Sequence, residues 1–330
     1  MEGLLVSSGD HGGGVSIVVP VYGGGAALEG LVRRSSAVLR PTEVPYEILL
    51  VDDASPSATS EVARRLAEAV PGVTLLRFAR NAGQHAALLA GVREALHPVV
   101  VTLDDDLQNP PEEIPLLLER LAAGDVDVVY GYTPQTSHSW FRRLASMGIR
   151  RVVARAIRSD SILYVGPFRA FRTELREGFA GAVGPGVSLD VLLGWSTQRF
   201  GHVEVRHDAR VDGASGYTLR KLVRFAFDTL TGYSTSLLSV VTALGFAAVT
   251  LGLGILGWVL GRYLLDGTSV AGFPFLASSI ALFSGAQMLS LGIIGQYLGR
   301  IHVRVQGRPS YHIAERVSSG IEQHAQERDE

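Results

Sequence analysis

Three consecutive carboxylates and an amide two positions on, Asp104, Asp105, Asp106 and Gln108, are the residues of this chain best placed to do chemistry. They follow the short apolar, β-branched run 99–103, which reads as an interior parallel strand. They precede Pro110, Pro111, Glu112 and Glu113, which suit a first helical turn with acids at its positive end, capped by Asn109. The carboxylates are therefore expected at the C-terminal edge of a sheet, where open α/β folds bind ligands. Asp104 and Asp106 project to one side, and with Gln108 they form an oxygen-only set suited to Mg²⁺ or Mn²⁺ shared with a diphosphate. The competing reading is a solvated acidic turn, which an isolated Asp triplet more often is. The strand before it and the proline-started helix after it favour the site.

The elements around this stretch alternate. Strands are expected at 15–21 (broken by Pro20), 46–51, 73–78 and 126–131, and helices at 26–39, 57–70, 84–96 and 112–122. That alternation predicts an α/β fold with a mostly parallel, doubly wound, Rossmann-like sheet. No G-x-G-x-x-G follows the first strand, which counts against an ordinary dinucleotide site. Residues 139–158 interleave Trp140, Phe141 and Leu144 with Arg142, Arg143, Arg150 and Arg151, a basic amphipathic pattern suited to anionic lipid or phosphate. A solvated helix on a globular domain is the alternative.

Two runs lack any Asp, Glu, Lys or Arg, 229–261 and 267–299, and each exceeds the ~20 apolar residues that span a bilayer. Arg220, Lys221 and Arg224 precede the first and Arg300, Arg304 and Arg308 follow the second, so charge asymmetry places both termini and the α/β domain in the cytoplasm. The expected organisation is a flexible N-terminus (1–14), a catalytic domain (15–217) and an interfacial helix (218–230). Transmembrane helices over 231–265 and 270–299 follow, then a polar tail (300–330), disordered after Tyr311. Net charge is −2, which implies no nucleic-acid partner, and the absence of cysteine excludes disulfides, Cys-ligated zinc and a thiol nucleophile. The nine histidines show no zinc spacing, and His85 reads as a packing residue, or one that supports the site's side chains from behind, rather than a metal ligand.

Several stretches together resemble the family 2 glycosyltransferases of GT-A fold: Val15-Ser-Ile-Val-Val-Pro-Val-Tyr22, Leu50-Val-Asp-Asp-Ala-Ser55, Arg80-Asn-Ala-Gly-Gln-His-Ala87 and Thr102-Leu-Asp-Asp-Asp-Leu-Gln-Asn-Pro-Pro-Glu-Glu-Ile-Pro115. Ser139-Trp-Phe-Arg-Arg-Leu-Ala-Ser146, Arg210-Val-Asp-Gly-Ala-Ser-Gly-Tyr217 and Gly295-Gln-Tyr-Leu-Gly-Arg-Ile301 narrow the likeness to the polyprenyl-phosphate glycosyltransferases. Within these it is similar to the undecaprenyl-phosphate aminoarabinose-type branch.

The resemblance implies inverting transfer of one sugar from a nucleotide-sugar donor, a UDP-sugar being favoured, to a polyprenyl phosphate at the cytoplasmic face of the lipid bilayer. It implies a metal held by Asp104, Asp106 and Gln108. It also implies a donor nucleotide pocket lined by Pro20, Tyr22, Asp52, Asp53, Asn81, Gln84, Asp104 and Asp105. Arg142, Ser146 and Arg210 match positions that grip the acceptor phosphate, and Asp106, Asp190 and Arg210 are the catalytic candidates. Asp190 could orient acceptor or sugar, or be a structural strand-end or helix-cap carboxylate. Homo-oligomers, a tetramer favoured, are implied, and two GxxxG stretches at 257–261 and 295–299 permit close helix packing.

Three departures stand out: Gly23-Gly-Gly25 replaces the usual Asn-Glu-Glu, Tyr132 and Thr133 stand where an arginine is common, and Gly213-Ala-Ser215 replaces Gly-Lys/Glu-Ser. The competing readings are a processive polysaccharide synthase, disfavoured by the lack of Gln-x-x-Arg-Trp, and a non-catalytic nucleotide-sugar-binding scaffold.

Overall fold

The computed structural model describes residues 13–23, 25–133, 166–179, 188–208, 272–306 and 309–319, with a few positions between 245 and 265. Its elements in chain order are β1 (Val15–Val21), α1 (Gly25–Leu39), β2 (Tyr46–Asp52), α2 (Ser57–Ala69), β3 (Val73–Phe78), α3 (Gln84–Glu94) and β4 (Val99–Thr102). Then come α4 (Ile114–Ala122), β5 (Val128–Tyr132), β6 (Arg169–Arg172), α5 (Leu189–Ser196), β7 (Phe200–Glu204), α6 (Phe273–Val305) and β8 (Ile313–Ser318). The chain divides into two units, Met1–Gly216 with Gly307–Glu330, and Tyr217–Gln306.

Eight strands form one sheet in the order β7-β5-β6-β4-β1-β2-β3-β8. β4, β1, β2 and β3 are mutually parallel, whereas β6 and β8 run antiparallel to their neighbours. Strand order reverses at β1, which has β2 on one side and β4 on the other, so the crevice between the ends of β1 and β4 is the topological switch point. Side-chain alternation assigns the two faces. Ile17, Val19 and Val21 of β1 pack with Leu28, Leu31, Ala63 and Leu117 from α1, α2 and α4. Val18 packs with Leu88, Leu89, Val92 and Leu192 from α3 and α5 on the other face. α3 comes so close to the sheet that a Cβ on Gly91 would collide with Val18.

Pro20 does not break β1, which continues to Val21. The ladder to β4 ends at the Val18–Thr102 pair, so the missing N–H of Pro20 costs no strand hydrogen bond. The expected helix at 112–122 begins as a 3₁₀ turn over Pro111–Glu113, whose cap position is Pro110, with no side-chain cap. Asn109 is buried and does not fill that role.

The larger correction concerns the tail. Residues 313–318 are a strand that pairs antiparallel with β3 at the sheet edge. Glu315 takes a two-pronged pair from Arg64 (2.6 and 2.7 Å), and Arg316 pairs with Glu94 at 2.6 Å. Tyr311 stacks on Phe78 at 4.9 Å between centroids, and the Ala79 N–H donates to the His312 carbonyl at 3.0 Å. No apolar alternation marked this strand: Ile313 and Val317 pack into different cores, and Glu315 and Arg316 between them pair with α2 and α3.

The interfacial segment 218–230 lies outside the described residues, as does most of 231–265. Side chains along the 33-residue α6 are described at some positions only, and among the described residues no helix is long and apolar enough to cross a membrane.

If β8 is an integral edge, Tyr311→Ala forfeits an aromatic stack worth about 1 kcal/mol beyond its buried area. Thermal unfolding of the purified chain is then expected to fall by a few degrees, with an unchanged melting temperature showing that the edge carries no stability.

Candidate active site

Every acid that the sequence nominated within the described residues sits at the C-terminal edge of the sheet, but they do different work. Asp52, the last residue of β2, has no exposed surface. Its Oδ1 accepts the Ser55 N–H at 2.8 Å, its Oδ2 accepts the Ser60 hydroxyl, and Arg77 approaches to 3.6 Å. It is thus a loop organiser, sealed from any ligand, where the sequence reading had it lining a pocket. Pro20 is likewise buried inside β1 and offers no exposed contact.

Asp53 is turned the other way along the crevice. Its two oxygens accept the N–H groups of Ala82 (2.6 Å) and Gly83 (2.8 Å), and Asn81 Nδ2 donates to its carbonyl at 3.3 Å. Gly83 makes this possible with φ +94°, a conformation that other residues rarely adopt. Burial raises the Asp53 carboxyl above its ordinary value, partly offset by those two backbone donors. Asp53, Asn81 and Gln84 therefore share one corner with the loop after β3.

The metal candidates occupy the switch point. Gln84 Nε2 donates to Asp104 Oδ1 at 2.7 Å, the Tyr22 N–H donates to Asp105 Oδ2 at 3.1 Å, and the Gln108 N–H donates to Asp106 Oδ1 at 3.1 Å. The bond to Asp105 stitches the loop after β1 to the loop after β4, and Tyr22 itself is 60% exposed. Leu107 adopts a left-handed conformation (φ 57°) between Asp106 and Gln108, and its side chain abuts α1 so closely that a Cβ on Gly30 would lie 3.3 Å away. Asp104, Asp106 and Gln108 all keep partial exposure. Among the described residues, no three or more His, Cys, Asp or Glu cluster as a closed cage. Two carboxylates and an amide fit a hard divalent ion that takes its remaining ligands from a diphosphate and water.

Asp190 lies in the first turn of α5, two residues after the cap position Ser188, so it is neither a strand-end nor the cap. Its Oδ1 accepts from Arg169 and from the Tyr130 hydroxyl (3.0 Å). Arg169 was not nominated, and its position in a four-residue strand flanked by apolar residues carries no signal that a sequence reading could use. Arg142, Ser146 and Arg210 lie outside the described residues. The chain leading to Arg210 is nevertheless fixed beside the acidic loop, since the Asp208 N–H donates to the Gln108 carbonyl at 2.9 Å and Arg206 pairs with Glu113 at 2.6 Å.

A mostly parallel sheet whose switch point carries an Asp-x-Asp pair is the arrangement of the GT-A glycosyltransferases. The crystal structure of glucosyl-3-phosphoglycerate synthase from Mycobacterium tuberculosis, in complex with Mn²⁺, UDP and glucosyl-3-phosphoglycerate, shares the fold. Its TM-score is 0.51 at 18% identity, covering 67% of this chain and 78% of that one. Residues 16–179 match Glycosyl transferase family 2. The undecaprenyl-phosphate 4-deoxy-4-formamido-L-arabinose transferase of Pectobacterium carotovorum is 33% identical over 308 residues, 92% of this chain and 94% of that protein. The enzyme of the same name from Sodalis glossinidius is 37% identical over 240 residues, 72% of this chain and 73% of that protein. The chain belongs to glycosyl transferase family 2, in its polyprenyl-phosphate branch.

The raised Asp53 carboxyl fixes a sign. The folded chain holds this proton more tightly than the unfolded chain, so the stability it contributes falls as pH rises from 3.8 through the folded value. Asp53→Asn removes that dependence, and its stability relative to the parent is expected to improve as unfolding is followed upward from pH 4. A constant difference across that range would show that Asp53 titrates alike in both states.

Proposed function

We propose that the protein transfers one glycosyl unit from a nucleotide sugar, a UDP-sugar in the first instance, to undecaprenyl phosphate, inverting the anomeric centre. The single observation that carries this is the stitched acidic loop at the switch point, where Asp104 and Asp106 stay partly exposed beside Gln108. The named activity of the relatives in Pectobacterium and Sodalis supports the acceptor class.

The chemistry suits these residues. The acceptor is already a phosphate anion, so no strong general base is needed. A divalent ion, Mg²⁺ or Mn²⁺, when bound by Asp104, Asp106 and Gln108, supplies charge neutralisation to the leaving diphosphate. Tyr22 offers an aromatic face to the nucleobase, and Asp53, held by two backbone donors, can still accept from a base or ribose donor group. Arg210, Arg142 and Ser146, which match the family's acceptor positions, are the residues to meet the acceptor phosphate, a guanidinium being suited to a bidentate grip on it.

The same proposal puts the enzyme at the cytoplasmic face of a membrane, as a homo-oligomer, with both termini in the cytoplasm. Its support is the two charge-free runs and the arginines that flank them.

The deciding assay measures transfer to undecaprenyl phosphate from a panel of UDP and GDP sugars, with Mg²⁺, with Mn²⁺ and with EDTA. One monoglycosylated lipid is expected, lost in EDTA and reduced at least ~100-fold by Asp106→Ala, since an electrostatic contribution of several kcal/mol goes with the ion. Transfer that survives EDTA and Asp106→Ala would defeat the site assignment, and polymeric product would replace it with a processive synthase.

A further inference from the structure

Beneath the acidic loop lies a charge that a core has no packing reason to keep. Arg169 of β6 is 2% exposed and is the largest fully buried side chain among the described residues. It stands opposite Thr102, the last residue of β4. Its Nε donates to Thr102 Oγ1 at 2.9 Å, and that hydroxyl donates in turn to the Pro167 carbonyl at 2.7 Å. Its Nη1 donates to Asp190 Oδ1. The Tyr130 hydroxyl reaches the same oxygen from β5, with its ring stacked on Phe200 of β7. One guanidinium therefore spans from the end of β4, two residues before Asp104, to the acid of α5.

Burying such a pair costs several kcal/mol per ion before attraction repays it, and a well-packed apolar replacement is often no less stable. Burial by itself would lower the Arg169 pKa, but Asp190, then Tyr130 and Asp104, more than offset it, so the guanidinium stays charged. Burial pushes the Tyr130 hydroxyl well up, and the Asp190 charge adds to this, so Tyr130 remains a donor. Both contacts fall on Oδ1 of Asp190, while 15% of the Asp190 side chain stays exposed. His85, beside Gln84 in α3, completes the corner. Its Nδ1 is buried with no hydrogen-bond partner among the described residues. Burial lowers its pKa, Asp190 opposes this and Arg169 reinforces it, so the ring is neutral. An aspartate fixed through one oxygen and still partly exposed suits a ligand hydroxyl, which donates to a carboxylate.

We propose that Arg169 is a positioning residue that fixes the Asp190 carboxylate relative to the Asp104–Asp106 loop, so that Asp190 receives hydroxyls of the donor's glycosyl unit. This rests on the transferase reading above. Arg169 touches no substrate itself. It removes the rotational freedom of an acid that must meet a sugar already held by its diphosphate at the other end of the loop. Nucleotide binding, which uses Tyr22 and Asp53, is independent of it.

The test uses the full chain, with the donor that proves active and undecaprenyl phosphate, and compares kcat with UDP affinity measured by calorimetry. Arg169→Met is expected to lower kcat ~100-fold, the scale of a misplaced reacting group, with UDP affinity within about twofold. Arg169→Lys restores the charge and is expected to recover about tenfold of that loss. Asp190→Asn is expected to cost as much as Arg169→Met, and the double variant no more than either, because the two act as a unit. Should Arg169→Met fail to fold, Tyr130→Phe keeps the core filled, and a kcat loss of about three- to tenfold at unchanged UDP affinity carries the same conclusion. The inference is overturned by a kcat near the parent's in the variants that fold, by UDP affinity falling in step with kcat, or by additive losses with Asp190→Asn. An inactive parent chain would defeat the transferase reading and this inference with it. An active parent with indifferent variants defeats the inference alone.

Discussion

Six aspartates, Asp52, Asp53, Asp104, Asp105, Asp106 and Asp190, converge on one edge of a single sheet, and the rest of the site is arranged around the repulsion this creates. Like charges so close raise one another's pKa unless each finds donors. The fold answers mainly with main-chain N–H groups, from Ser55, Ala82, Gly83, Tyr22 and Gln108. Backbone donors lose no side-chain entropy when they are fixed. Two of the loops that present them carry a non-glycine residue in the left-handed region, Ala54 (φ 54°) and Leu107 (φ 57°). Such conformations cost of order 1–3 kcal/mol each and persist where the surroundings over-determine them. The donor geometry around Asp52 and Asp106 supplies that over-determination.

The acids separate by how completely they are answered. Asp52 is sealed by Ser55, Ser60 and Arg77, which makes it part of the scaffold. Asp53 is also buried, with both oxygens held by backbone donors and its carboxyl raised. Asp104 and Asp106 keep exposed surface at the switch point, where a further cation is the natural complement. Asp190 is answered by a buried guanidinium. This gradation, from closed to open along one edge, separates scaffold from chemistry more sharply than the identity of the side chains.

The sequence made the parallel half of the sheet legible because β1 to β4 are apolar, β-branched runs between helical stretches, and the Asp triplet falls where one of them ends. It gave no means of telling Asp52 from Asp53, since adjacent residues of a strand end face opposite ways and the direction depends on register with β1. Arg169 was invisible for a related reason. An arginine in a short strand reads as solvated, and only its pairing with Thr102 and Asp190, distant in sequence, buries it. β8 was misread because the adjacent charges Glu315 and Arg316 between Ile313 and Val317 read as a polar tail until β3 is known to have an uncovered edge. The family resemblance, by contrast, was carried by contiguous motifs and agrees with the match over residues 16–179.

β8 also imposes an order on biosynthesis. The edge of β3 that it covers is complete once residues 73–78 have been made, yet its partner strand is encoded some 240 positions later, at 313–318. At translation speeds of ~5–20 residues per second the nascent domain carries a bare, apolar strand edge for on the order of ten seconds or more. Throughout that interval the growing chain offers a template to any other extended segment, including the same edge on a neighbouring ribosome. A stop codon shortly before residue 313 would make that interval permanent.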